Sequence, residues 1–250
     1  MKIYFASDQH FGAPNYEKSR MRETLFVKWL DEIQEDATAL FLLGDLFDFW
    51  FEYKKTVPKG FVRVLGKLAE LSDKGIPIHF FAGNHDYWMR DYFEKELGIQ
   101  VYYEPTEFIF NNKTFLIGHG DGLGPGDKGY KFLKRIFLNK LSIWLFQWMH
   151  PYFGIGFAQY LSLRNKLVSG NEDITFLGED KEHLILYCKE EYKKKPYNYF
   201  LFGHRHLPLE IDIATASKYI NTGDWISYNT YAVFDGEKME LKEYTSTIND

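Results

Sequence analysis

Ile3-Tyr4-Phe5-Ala6-Ser7-Asp8-Gln9-His10 opens the chain with an apolar run that stops on an acid and a histidine. Consecutive apolar residues, with no polar alternation, suit a strand covered on both faces. The pattern recurs. Ala39-Leu40-Phe41-Leu42-Leu43 ends at Gly44-Asp45, and the run from Ile76 to Ala82 ends at Gly83-Asn84-His85-Asp86. Helical patterns lie between these runs. One extends from about Glu17 to Ile33, and another starts near Pro58, with Val62, Leu65, Leu68 and Leu71 in helical period. Buried strands alternating with amphipathic helices predict an α/β fold.

Further along, the pattern turns richer in strands. Phe108-Ile109-Phe110, then Asn111-Asn112, then Thr114 to Ile117 reads as a hairpin leading into Gly118-His119-Gly120-Asp121. A helix is predicted from Lys181 to Lys195, followed by a strand from Tyr199 to Phe202 that ends at Gly203-His204-Arg205-His206. The segment from Leu209 to Tyr244 reads as several short antiparallel strands.

Five strand ends therefore deliver ligand-type side chains in chain order: Asp8 and His10, Asp45, Asn84, His119, and His204 with His206. Residues two apart on an extended segment project to one side, so Asp8 and His10 are expected to share an ion, as are His204 and His206. The carboxyl edge of a parallel sheet is where α/β proteins place their sites. Nitrogen and oxygen donors without a thiolate suit Mn²⁺, Fe²⁺ or Zn²⁺ better than Ca²⁺.

Composition narrows the class. At 250 residues the chain can form one domain with an insertion. Its single cysteine, Cys188, excludes an intrachain disulfide framework and a thiolate metal cluster, and is expected to pack in a core. Asp8 interrupts the first apolar run too early for a signal peptide, which fits a cytoplasmic location. The formal net charge is −5, and it is unevenly spread. From Gly122 to Gly170 seven cations face one acid, Asp127, so the stretch carries +6 and the remainder −11. An acidic body argues against tracking of nucleic acid.

Within that basic stretch, Leu141 to Leu163 contains no Asp, Glu, Lys or Arg over 23 residues. About 20 apolar residues suffice to cross a bilayer, but Pro151 should break a helix there. Trp144, Phe146, Trp148, Tyr152, Phe153 and Phe157 are aromatics of the kind that lie at a membrane interface. The expected arrangement is a cap of two helices with an apolar face and a basic rim, resting on a membrane surface or holding acyl chains. The alternative is a helical hairpin packed on the core. The predicted division is a core of 1–121 plus 171–250 and a cap of 122–170.

The ordered motifs Asp8-x-His10, Gly44-Asp45-x-x-Asp48, Gly83-Asn84-His85-Asp86, Gly118-His119 and Gly203-His204-x-His206 resemble those of the calcineurin-like metallophosphoesterases. That resemblance implies a β-sandwich flanked by helices in α/β/β/α layers. It also implies two divalent ions, most readily Mn²⁺. Asp8, His10, Asp45 and His206 would hold one ion, and Asp45, Asn84, His119 and His204 the other, with Asp45 shared. Asp45 and His85 would be catalytic, His85 facing the substrate as proton donor or as a stabiliser of phosphoryl charge. Asp48 and Asp86 are read as carboxylates that orient histidines. Asp224 is either another such group or a turn residue.

Within this superfamily the chain is most similar to the UDP-2,3-diacylglucosamine hydrolases of lipid A synthesis. These cleave the pyrophosphate of a doubly acylated UDP-sugar to UMP and the sugar 1-phosphate. Their helical cap follows the fourth ligand motif, and His119-Gly120-Asp121-x-Leu123 with Asp127 and Tyr130 matches its entrance. The resemblance implies an amphipathic UDP-sugar lipid as partner, met at the cytoplasmic membrane. It makes Asn84, His204, Asp127 and Tyr130 candidate substrate contacts, though Asp127 could equally cap a helix. Arg164 and Lys166 are added from charge alone, against the alternative of a solvated helix face. One departure is His85, where well-known enterobacterial members carry Arg. His85 also suits other phosphodiesters or nucleotides, the competing substrate class. A non-catalytic binding module would be expected to have lost ligands, and all seven are present.

Overall fold

Alternation within the first strand sets the layers. The computed structural model describes residues 1–126, 128–156 and 175–245. In β1 (Lys2–Ala6), Ile3 and Phe5 face one core, while Tyr4 and Ala6 face another. The same parity runs through β2 (Ala37–Leu42) and β3 (Ile78–Phe81), where Phe41 and Phe81 take one side and Leu40, Leu42 and Phe80 the other. This is the period of two expected of a pleated strand buried on both faces.

β1, β2, β3 and β4 (Gln100–Tyr102) pair in parallel, and β10 (Thr230–Phe234) and β11 (Met239–Glu243) extend the sheet antiparallel beyond β1. On its outer face lie α1 (Tyr16–Ile33), α2 (Val62–Asp73) and α3 (Tyr92–Glu96), contributing Phe26, Trp29, Leu30, Leu68 and Phe93 to the core. The second sheet runs β5 (Thr106–Phe110), β6 (Lys113–Ile117), β7 (Tyr199–Phe202), β9 (Ser217–Thr222), β8 (Pro208–Ala214). Phe115, Ile117, Leu201 and Ile220 from it meet Phe5 and Phe41 between the sheets. Leu116, Phe200 and Tyr219 point outward onto α6 (His183–Lys194), where Cys188 is buried. The layers are therefore α/β/β/α, as the resemblance implies.

Four details differ from the sequence reading. α2 begins at Val62 rather than near Pro58. Phe61 occupies the left-handed region at φ 57° and offers no side-chain cap, so the carboxylate of Glu23 on α1 accepts from Arg63 N and Val64 N instead. α3 and β4 are short elements with no clear period. β3 spans less than the apolar run from Ile76 to Ala82. The final strands do not form one meander. β8 and β9 join the second sheet, with β9 parallel to β7, whereas β10 and β11 complete the first. The hairpin stands as read, with Asn111 and Asn112 both left-handed at φ 46° and 62°. A two-residue type I′ loop requires that conformation.

After the loop from His119, α4 (Lys128–Phe137) and α5 (Lys140–Trp148) pack together, and neither contains a buried residue. α5 closes at Met149, whose ψ of 133° leaves the helical region, and Pro151 opens a further helical run over 151–156. Proline suits that first helical position because its missing N–H is not needed there. Among the described residues no helix is long and apolar enough to cross a membrane. Phe146 anchors α5 on Phe51 and Trp88, with ring centroids at 4.7 and 4.8 Å. Trp88 Nε1 donates to the Phe137 carbonyl at 2.9 Å.

Candidate metal centre

The ligand loops leave β1, β2, β3, β6 and β7 and converge at one edge of the sandwich. The side chains meet, but not because the backbone is extended. Asp8, His10, Asp45, His204 and His206 all have positive φ, between 45° and 69°. The same-side argument for residues two apart on a strand is therefore corrected: the loops after β1, β2 and β7 turn through the left-handed region just past their strands. Such conformations cost about 1–3 kcal/mol each and persist where surrounding contacts impose them. Arg22 supplies several of those contacts, donating to the carbonyls of Gln9, His10 and Ala13 at 2.6, 2.7 and 2.5 Å.

Two donor groups form. Asp8, His10 and His206 make one, and Asp45, His119 and His204 the other, while His10, Asp45 and His85 link them. His10 Nε2 lies 3.8 Å from Asp8 Oδ1, 3.2 Å from His206 Nε2 and 3.7 Å from Asp45 Oδ2. His119 Nε2 lies 3.5 Å from that same Asp45 oxygen and 3.2 Å from Asn84 Oδ1. Asp45 Oδ2 thus faces both groups, and its Oδ1 accepts from His85 N at 2.8 Å.

The histidine tautomers are set from behind. His119 Nδ1 donates to the Leu43 carbonyl at 2.7 Å, and His206 Nδ1 pairs with Asp224 Oδ2 at 3.1 Å. In the neutral ring each contact leaves Nε2 as a lone pair directed into the centre. Asp224 meets both alternatives raised for it, because its Oδ1 also accepts from the N–H groups of Ile226, Ser227 and Tyr228. Asp48 Oδ1 approaches His10 Nδ1 at 3.5 Å, and the Asp48 carbonyl meets His85 Nδ1 at 2.7 Å. Asp86 departs from its expected role. It orients no histidine, and accepts instead from the N–H groups of Gly83, Leu46 and Asp45, bracing the two loops against each other.

Close packing explains the glycines. A side chain on Gly44, at φ 93°, would start 2.5 Å from His119 Nδ1. One on Gly203 would start 2.5 Å from Asp8 Oδ2. Neither position has room for a Cβ atom.

The residues fit a pair of divalent cations. Asp8 Oδ1 is fully buried with no hydrogen-bond partner, an arrangement costly for a carboxylate unless a cation faces it. Burial raises the Asp8 carboxyl, with His206 and His119 opposing. His119 is pushed up to about 9: burial lowers it, but the charge and hydrogen bond of Asp45 prevail. Burial, with His119 beside it, drives His204 well below the usual histidine range.

Tyr130 on α4 lies 6.3 Å, ring to ring, from His204, and its hydroxyl donates to Asp121 Oδ2 at 2.9 Å. Asp127, Arg164 and Lys166 lie outside the described residues. The sequence reading did not single out Asp121 or Lys134 as site groups. The buried Asp121 carboxylate, two residues past His119, holds Lys134 Nζ at 2.7 Å, and that ammonium sits 4.9 Å above the Tyr87 ring. The spacing from His119, like that of Asp8 from His10, was the available signal. Arg22 had none, since it lies inside an ordinary helical pattern.

A family model for calcineurin-like phosphoesterases matches residues 1–208. The chain is 39% identical over 254 residues to a UDP-2,3-diacylglucosamine hydrolase from Porphyromonas gingivalis, covering 96% of this chain and 97% of that protein. It is 26% identical over 243 residues to one from Shewanella baltica, covering 97% of each. A solved phosphoesterase from E. coli shares 16% identity at a TM-score of 0.47, over 96% of this chain and 91% of that one. The match over residues 1–208 takes in all five converging loops, from Asp8 to His206, and the chain belongs to the calcineurin-like phosphoesterase family.

Proposed function

We infer that the chain is a metal-dependent hydrolase that cleaves the pyrophosphate of UDP-2,3-diacylglucosamine to UMP and 2,3-diacylglucosamine 1-phosphate. The observation that carries this is 39% identity over nearly the whole length, cap region included, to a hydrolase named for that substrate. In this reading Asp8, His10, Asp45 and His206 hold one divalent ion, and Asp45, Asn84, His119 and His204 the other. Mn²⁺ is the favoured occupant, with Fe²⁺ or Zn²⁺ as alternatives. When bound, the ions supply positive charge against the phosphate oxygens and lower the pKa of water.

The side chains do the rest. His85 has Nδ1 engaged by the Asp48 carbonyl, which leaves Nε2 to protonate the departing oxygen or to stabilise phosphoryl charge. Asn84 and His204 border the phosphates. Tyr130, with Asp127, Arg164 and Lys166, contacts the substrate from the insertion, taken as 122–170 within a core of 1–121 and 171–250.

The cap gives the acyl chains and the membrane a place. Trp148, Tyr152 and Phe153 are 76%, 77% and 67% exposed, beside Leu141, Trp144 and Leu145. Each buried methylene of an acyl chain contributes about 0.8 kcal/mol. Apolar side chains flanked by Lys131, Arg135 and Lys140 suit the anionic cytoplasmic surface of the inner membrane.

The test compares Mn²⁺-loaded protein on UDP-2,3-diacylglucosamine, on the deacylated UDP-sugar and on bis(p-nitrophenyl) phosphate. Rapid UMP release from the diacylated substrate alone is expected. Turnover confined to the generic diester would keep the metal chemistry and overturn the substrate.

A further inference from the structure

Arg205, between His204 and His206, is partly buried in a clamp that the metal chemistry does not use. Arg205 Nε donates to Glu182 Oε2 and its terminal nitrogen to Glu182 Oε1, each at 2.8 Å, a bidentate pair. The same terminal nitrogen donates to the Thr175 carbonyl at 2.8 Å. The two side chains are 14% and 3% exposed. Glu182 is itself fixed: it is the residue before α6, its Oε1 accepts from Leu177 N at 3.0 Å, and the neighbouring Leu184 and Ile185 are core residues.

A second observation shows what the clamp restrains. His204 and His206, on either side of Arg205, both sit in the left-handed region, at φ 69° and 52°. Arg205 N bonds back to the Gly203 carbonyl at 2.8 Å, which closes a tight turn centred on His204. A non-glycine residue reaches that conformation only when other contacts over-determine it. The loop also divides its histidines. His204 joins Asp45 and His119, whereas His206 joins Asp8 and His10. Arg205 is therefore one of the contacts that hold this loop, together with His204 N to Asp8 Oδ2 at 2.9 Å, Gly203 N to the His119 carbonyl at 2.9 Å and the Asp224 contact to His206.

The anchor leads to the insertion. Thr175 and Leu177 lie just beyond its far end, and at its near end the backbone of Gly124 packs against the His183 carbonyl, next to Glu182. Described residues that precede and follow most of the insertion in the chain, Gly124 and Thr175, therefore both lie beside the segment that holds Arg205.

We propose that Arg205 and Glu182 form a positioning pair that holds His204 and His206 in their strained conformation and ties both donor groups to the base of the cap. In this role the pair acts through His204 and His206, not on the substrate. A bidentate pair between planar groups fixes orientation as well as distance, which a lysine cannot reproduce. The proposal rests on the two-ion reading of the centre.

The test is calorimetric titration of Mn²⁺ into the metal-free full-length chain, alongside its unfolding midpoint. Arg205→Ala should weaken both binding steps by about 10–100-fold, the usual effect of losing a group that orients ligands. Arg205→Lys should recover part of the loss. Glu182→Gln keeps the side-chain volume, and it should reproduce the Arg205→Ala defect, with the double variant no worse than either. Asp224→Asn, which among the ligand histidines touches only His206, should weaken one step only. If Arg205→Ala does not fold, Glu182→Gln carries the same expectation. A lowered midpoint with Mn²⁺ affinity within about twofold of wild type, or a loss confined to one step, would overturn the proposal. Wild-type protein that takes up no Mn²⁺ would defeat the two-ion reading itself.

Discussion

Asp45 does more than any other residue of the centre. One carboxylate oxygen faces His10 and His119, and the other accepts the His85 N–H. Asp45→Ala should therefore disrupt both ion positions, and Asn84→Ala one of them. Each variant is expected to lose about 100-fold or more in kcat/KM, with fewer ions retained per chain by elemental analysis. Near wild-type turnover in either would argue against a shared site.

The elevated His119 pKa of about 9 in the metal-free protein predicts a pH effect. Below that value the ring carries a proton that an ion must displace. Apparent Mn²⁺ affinity should then rise from about pH 6 to about pH 8, with protons released on binding. Titrations in buffers of differing ionisation enthalpy would measure that release, and affinity independent of pH would exclude the competition.

At the scale of elements, α2 shows how one helix starts another. Its own first residues provide no capping side chain, and Glu23, seven residues into α1, takes that role while paired with Arg20 at 2.6 Å. Removing a cap costs about 1 kcal/mol. Glu23→Ala should lower Tm by about 2–4 °C, since the unfolding entropy of a chain this size is large. Activity per folded molecule should be unchanged. An equal Tm would mean that water caps α2 as well as the carboxylate does.

At the scale of the whole molecule, exposed aromatics gather on the helices of the basic stretch. The stretch from Gly122 to Gly170 is basic in an otherwise acidic sequence, and its described helices expose Trp144 and Trp148. The protein is expected to float with anionic vesicles in a salt-dependent manner. Replacing Trp144, Trp148 and Phe153 together by Ser should abolish flotation without affecting hydrolysis of a soluble phosphodiester. Unchanged flotation would remove the membrane role of this face.

The sequence by itself determined the order of strands and helices, the types of donor at each strand end, and the charge contrast of the insertion. These are local properties: apolar period, turn chemistry such as Asn111-Asn112, and residue identity leave their mark within a few positions. Tertiary structure alone decided which sheet receives each late strand: β9 pairs with β7 in the second sheet and β10 with β1 in the first, partners far away in the chain. It also decided that Asp86 braces backbone instead of a histidine, that Glu23 caps α2, and that Arg205 is held by Glu182. The contacts of Asp86 with Leu46, of Glu23 with Val64 and of Arg205 with Glu182 join residues 40, 41 and 23 positions apart. Burial makes such polar pairings obligatory, because an unpaired charge in the interior is too costly to persist, but the partner is chosen by packing rather than by neighbouring sequence.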